Sequence, residues 1–98
     1  MNAQMKKFIK DVKLAFNAQI LLFGSRAKGE QRKDSDYDLI IVSDFFKGIP
    51  FADRAYHVWI RTKAAVPADI FCYAPRELKK TAKKSVVLKD ALSYAIPL

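Results

Sequence analysis

One stretch constrains this chain more than any other: Gly24 to Val42, reading GSRAKGEQRKDSDYDLIIV. An apolar run, Ile20 to Phe23, ends abruptly in Gly24-Ser25. A short basic segment follows, and Asp36 and Asp38 then open a second apolar run, Leu39 to Val42. Side chains alternate faces along an extended strand, so Asp36 and Asp38 point the same way, roughly 6–7 Å apart along the strand. Like charges so placed repel, and a hard divalent cation relieves the repulsion. Paired oxygen ligands with room for water and phosphate suit magnesium better than a zinc or calcium cage. A calcium loop of the EF-hand kind needs a run of oxygen ligands closed by a glutamate, and Leu39 to Val42 supply none.

The rest of the chain arranges itself around this stretch. Met5, Phe8, Ile9, Val12, Ala15 and Phe16 recur at helical spacing with lysines between them, which predicts an amphipathic helix from about Asn2 to Phe16, with Asn17 near its end. Gln19 to Phe23 reads as a buried first strand. Ser25 to about Lys33 reads as a short helix, whose unsatisfied N–H groups beside Gly24 would receive phosphate with no side chain in the way. Asp36 to Val42 is the second strand, apolar on both faces and therefore central. Ser43 to Pro50 is a loop broken by Gly48 and Pro50, with Phe45 and Phe46 expected to fold back onto the core.

Phe51 to Ala64 is the next helix, with Phe51, Ala55, Val58 and Trp59 toward the core and Arg54, Arg61 and Lys63 toward water or a partner. His57, the only histidine, has no cysteine or second histidine nearby and lacks metal-ligand company. Pro67 to Tyr73 is the third strand. It carries Asp69 on one face with Phe71 and Tyr73, and a carboxylate within an apolar strand costs free energy unless paired or metal-bound. Pro75 opens a basic helix to Lys84. Ser85 caps a last helix to about Ala95, with Val87, Leu88, Ala91 and Leu92 along one stripe, and Ile96-Pro97-Leu98 is an apolar tail. The expected fold class is α/β (α+β): a small mixed sheet of about three strands with helices packed on it.

Ninety-eight residues are read as one domain, 1–98, with 51% apolar residues to fill its core. The net charge of +8 suits a polyanionic partner: nucleic acid, nucleotide phosphates or an acidic protein. Cys72 is the sole cysteine, so no internal disulfide forms, and its apolar neighbours suggest a buried thiol. No signal peptide or membrane span is read, which fits the cytoplasm.

Gly24-Ser25, a spacer, and Asp36-Tyr37-Asp38, flanked by Arg26-Ala27, Gly29, Ser35 and Leu39, resemble the nucleotidyltransferase superfamily of DNA polymerase β type. The similarity is closest to the short minimal nucleotidyltransferases of archaea and bacteria. Asp-x-Asp alone is common; Gly-Ser between strand and helix, followed at this spacing by Asp-x-Asp opening a strand, is specific. The resemblance covers most of the chain and implies that Asp69 is the family's third acid. It implies two Mg²⁺ ions (or Mn²⁺), with Asp36 and Asp38 ligating both and Asp69 holding the catalytic one and helping to deprotonate the acceptor. Gly24 and Ser25 would hold the β- and γ-phosphates, with Arg26 and Lys28 as charge partners.

The activity so implied is transfer of a nucleoside monophosphate, AMP from ATP, to a macromolecular hydroxyl. Such proteins are commonly paired with a helical HEPN protein as a toxin–antitoxin system. With no extra acceptor-binding domain, the acceptor would arrive on that partner or at a homo-oligomer surface. One alternative is a non-catalytic binding module that neutralises its partner by occupancy. A weaker one is a basic nucleic-acid binder using the helix from Pro75 to Lys84, which lacks interleaved aromatics.

Overall fold

The computed structural model describes residues 1–98. Helix α1 (Ala3–Phe16) starts at Asn2, whose side chain accepts the Met5 N–H at 2.9 Å, and stops at Asn17 in the left-handed conformation. Its stripe of Met5, Phe8, Ile9, Val12 and Phe16 is buried. Strand β1 (Gln19–Phe23) runs into α2 (Gly24–Lys28), a single turn and a half closed by Gly29 at φ +73°. After a loop comes β2 (Tyr37–Val42), then a 3₁₀ turn at Asp44–Phe46 and helix α3 (Phe51–Thr62). Strand β3 (Ala68–Tyr73) is followed by α4 (Pro75–Lys84), α5 (Val86–Tyr94) and a two-residue strand β4 (Ile96–Pro97).

The sheet order is β3-β2-β1-β4. β1 is antiparallel to both neighbours, whereas β2 and β3 are parallel. Alternation gives the sheet two unlike faces. Tyr37, Leu39 and Ile41 of β2 join Ile20, Leu22 and Cys72 in the main core with α1, Phe46 and Val58. The Phe8 ring stacks on Trp59 at 5.2 Å, tying α1 to α3. Truncating a residue buried like Phe8 costs about 3–5 kcal/mol. The opposite face carries Asp38 and Ile40 and is crossed by α5, with an opening of about 190 Å³ among Phe23, Ile40, Phe71, Tyr73, Leu88 and Ala91.

The mixed α+β architecture agrees with the sequence expectation, and the details differ in physically clear ways. The sheet has four strands: the tail read as apolar coil pairs Ile96 with Leu22, and the Leu98 N–H donates to Ile20 O at 2.9 Å. Helix α2 ends at Lys28 rather than near Lys33, because the positive φ of Gly29 breaks it. β2 begins at Tyr37, leaving Asp36 just before the strand. Phe45 and Phe46 do fold back: Phe46 is fully buried, and both rings lie against Phe16. Phe51, assigned to the core, is 50% exposed, and Val87, assigned to the buried stripe of α5, is 81% exposed.

Arg54, assigned to water or a partner, is instead buried within the chain at 4% exposure. Its Nε donates to Ile49 O at 2.8 Å, Nη1 donates to Cys72 O at 3.0 Å, and the guanidinium forks onto the Glu77 carboxylate. Glu77 in turn accepts the Ala74 N–H at 3.3 Å. One guanidinium thus ties α3 to the end of β3 and to the first turn of α4, with a bond from each of its three nitrogens to offset the burial of the cation. Periodicity places a charged residue on the wet side, and only the tertiary partners of Arg54 make it an interior residue.

Arg54 holds the Glu77 carboxyl below its ordinary 4.5, chiefly through their hydrogen bond and against the opposing effect of burial. A carboxylate whose pKa falls on folding contributes stability that is present above the ordinary value and lost as pH falls through the folded value. Glu77→Gln should therefore cost about 1–2 kcal/mol near neutral pH, a range discounted because the Glu77 side chain is 40% exposed. The deficit should shrink as pH falls through the lowered folded value. Urea unfolding across the acidic range and at neutral pH checks this; a deficit that does not change with pH would remove the ionic bond from the account.

Candidate active site

Three neighbouring strands bring the sequence-predicted acids together. Phe23, the last residue of β1, lies opposite Asp38, and Asp38 lies directly beside Asp69 in the parallel pair. The pair is started by the Tyr37 N–H donating to Pro67 O at 2.8 Å. Adjacent strands are about 4.8 Å apart, so the Gly24 turn, Asp38 and Asp69 form a row across the sheet. Asp38 is half-buried, while Asp36 and Asp69 are exposed. The exposure of Asp69 removes burial cost as a reason to think it functional; its register with Asp38 supplies a better one.

The Asp38 carboxyl is pushed above its ordinary 3.8 first by burial, then by the negative charge of Asp69, then by that of Asp36. The three carboxylates therefore share one electrostatic neighbourhood. They do not converge as a ready-made cluster of three metal ligands. Their chemistry, hard oxygen donors with mutual repulsion, fits a hard divalent cation such as magnesium.

Gly24 sits at φ +72°, and a Cβ placed on it would lie 2.1 Å from Asp38 Oδ2. The glycine is needed so that the turn can lie against the Asp38 carboxylate, a close approach within the chain itself. The Gly24 N–H is itself occupied, donating to the Tyr94 hydroxyl at 3.2 Å. Ser25 is half-buried, and its carbonyl accepts the Glu30 N–H at 2.9 Å as the chain leaves α2.

Arg26 is committed to the loop. Its Nε and Nη2 donate to Ser35 O at 2.9 and 2.6 Å, and the guanidinium lies 4.0 Å above the Tyr37 ring. It thereby positions the segment that delivers Asp36. Lys28 instead places its ammonium 4.5 Å above the Tyr94 ring. Tyr94 is the site residue that sequence reasoning missed. It stands 70 positions from Gly24, at the end of a helix whose pattern assigns it nothing.

A row of turn, acid and acid across adjacent strands, with the third acid delivered by a parallel crossover, is the arrangement expected for transfer of a nucleotidyl group. The chain belongs to the nucleotidyltransferase domain family, which matches residues 4–96, and it is a transferase of that class. Among solved structures it is similar to a Sulfolobus solfataricus protein provisionally assigned as a nucleotidyltransferase, with 23% identity over 82% of this chain and 81% of that one and a TM-score of 0.53. It is also similar to BolA1 from Arabidopsis thaliana, with 15% identity, coverage of 79% and 98%, and a TM-score of 0.57. At these identities both likenesses speak to the fold alone. No curated protein matches the chain.

Gly24→Ala should be costly for two separable reasons. A non-glycine residue in the left-handed region costs about 1–2 kcal/mol. The new methyl must also displace the Asp38 carboxylate. Chemical unfolding should show destabilisation of at least about 1 kcal/mol. Manganese titration should show weakened metal binding even without nucleotide. Metal affinity equal to wild type would mean that the turn and Asp38 are not coupled.

Proposed function

We propose that this chain is a magnesium-dependent adenylyltransferase that moves AMP from ATP onto a hydroxyl of a protein partner, acting in the cytoplasm as the antitoxin of a HEPN toxin. The observation that carries the chemistry is the register of Asp38 beside Asp69, next to the Gly24-Ser25 turn. The HEPN pairing rests on the resemblance of the Gly-Ser and Asp-x-Asp motifs to the minimal nucleotidyltransferases.

In this reading Gly24 and Ser25 orient the β- and γ-phosphates, and Arg26 acts by holding the loop that carries Asp36. Magnesium held by Asp36, Asp38 and Asp69 supplies charge neutralisation for the attacking and leaving oxygens. The acceptor oxygen bonds to the α-phosphorus, the α–β bridging bond breaks, pyrophosphate leaves, and Asp69 takes the acceptor's proton. Attack in line with the leaving group fixes a direction. With the leaving phosphates on the β1 side, the acceptor must come from the β3 side. β3 is the sheet edge, and Phe71, 39% exposed, lies two residues beyond Asp69 on the same face. That edge is open to a large acceptor. No helix of the chain is long and apolar enough to cross a membrane.

Asp69→Asn separates an enzyme from a module that works by occupancy. The change keeps the shape and removes the proton acceptor. Nucleotide transfer to a co-expressed HEPN protein, read as added AMP mass on the intact protein, should fall by about 10²-fold or more while ATP still binds. Full neutralisation of the toxin by the variant, with no AMP on the toxin, would establish the occupancy reading instead.

A further inference from the structure

The Gly24 N–H, the donor nearest to where the triphosphate should lie, is already spent on Tyr94 Oη. A tyrosine hydroxyl has one proton to donate and can accept as well. By accepting from Gly24, Tyr94 leaves its own O–H proton free to turn outward. Beside it lies the Lys28 ammonium, held over the same ring and exposed, and in none of the three ion pairs of the chain. The other cation of α2, Arg26, is engaged by Ser35 and Tyr37.

We propose that Tyr94 and Lys28 bind the terminal phosphates of the nucleoside triphosphate, so that the last helix of the chain closes the wall of the leaving-group site. This deepens the nucleotidyltransferase reading and rests on it. The placement is rigid despite the sequence separation, because both ends ride on β1. Gly24 follows directly from β1, and Tyr94 immediately precedes the segment in which Ile96 pairs with Leu22 and Pro97 with Leu21. A neutral O–H and a cation side by side suit an anion with several oxygens, which describes the pyrophosphoryl end of a triphosphate rather than its base or sugar.

The test is equilibrium binding of ATP and of inorganic pyrophosphate, each with Mg²⁺, to the full chain and to Tyr94→Phe and Lys28→Met. Lys28 is exposed, so Lys28→Met should not lower the melting temperature appreciably; Tyr94→Phe keeps the ring but removes the acceptor of the Gly24 N–H, so its melting temperature is measured alongside. Both ligands should bind about tenfold more weakly to each variant, the usual scale for losing a charge-assisted contact. Unchanged affinities in both variants, with wild-type protein binding ATP, would overturn the proposal and leave the transferase reading standing. Wild-type protein that binds neither ligand would overturn both. If Tyr94→Phe proves unstable, unchanged pyrophosphate affinity in Lys28→Met overturns the proposal by itself.

Discussion

The parallel pairing of β2 with β3 is the constraint on which the rest depends. It sets Asp38 beside Asp69, and a slip of one residue would turn Asp69 to the opposite face. Parallel neighbours cannot be joined by a tight turn, so the chain must cross over, and α3 is that crossover. What fixes the crossover is Arg54. Its bonds to Ile49 O, Cys72 O and Glu77 fasten the start of α3, the end of β3 and the start of α4 around one buried cation. A residue at the far end of β3 from the acids thus helps to hold the strand register that creates the acid pair.

The other half of the site hangs on β1. Because β1 runs antiparallel to β2, its exit at Phe23 meets the entry of β2 at Asp38. The chain must then turn directly over a carboxylate, which only a residue without a Cβ permits. The opposite side of β1 accepts β4, and so the final helix swings back across the sheet until Tyr94 reaches Gly24. The turn is therefore clasped between Asp38 beneath and Tyr94 beside it. Changes at the very end of the chain should be felt at the Gly24 turn.

How much of this could be read in the sequence follows from the range of the interactions. Gly24-Ser25, Asp36-Tyr37-Asp38 and the strand bearing Asp69 are local patterns, and the sheet register sets Phe23 opposite Asp38 and Asp38 beside Asp69. The N-cap Asn2, the terminator Asn17 and the cap Ser85 are local too, and each stands where its chemistry says. Strand β4 was illegible, because two residues including a proline carry no strand period and pair only with the distant Leu21 and Leu22. Arg54 and Tyr94 were illegible for the same reason: each is defined by partners on other elements. The contacts of Arg26 with Ser35 and Tyr37 were equally out of reach, since proximity to a turn says nothing of whether a guanidinium is engaged elsewhere.

The electrostatics of the acids bear on the site as well. The chain holds 18 lysines and arginines against 10 aspartates and glutamates, yet only three of those acids are ion-paired. The three ion pairs that form are Lys7–Asp11, Lys47–Asp44 and Arg54–Glu77. None involves Asp36, Asp38 or Asp69, although burial and the other two acids raise the Asp38 carboxyl. Folding thus leaves three carboxylates mutually repelling in a protein of net charge +8. Hard oxygen donors so arranged suit a hard divalent cation better than they suit one another, and a net charge of +8 suits a polyanionic ligand.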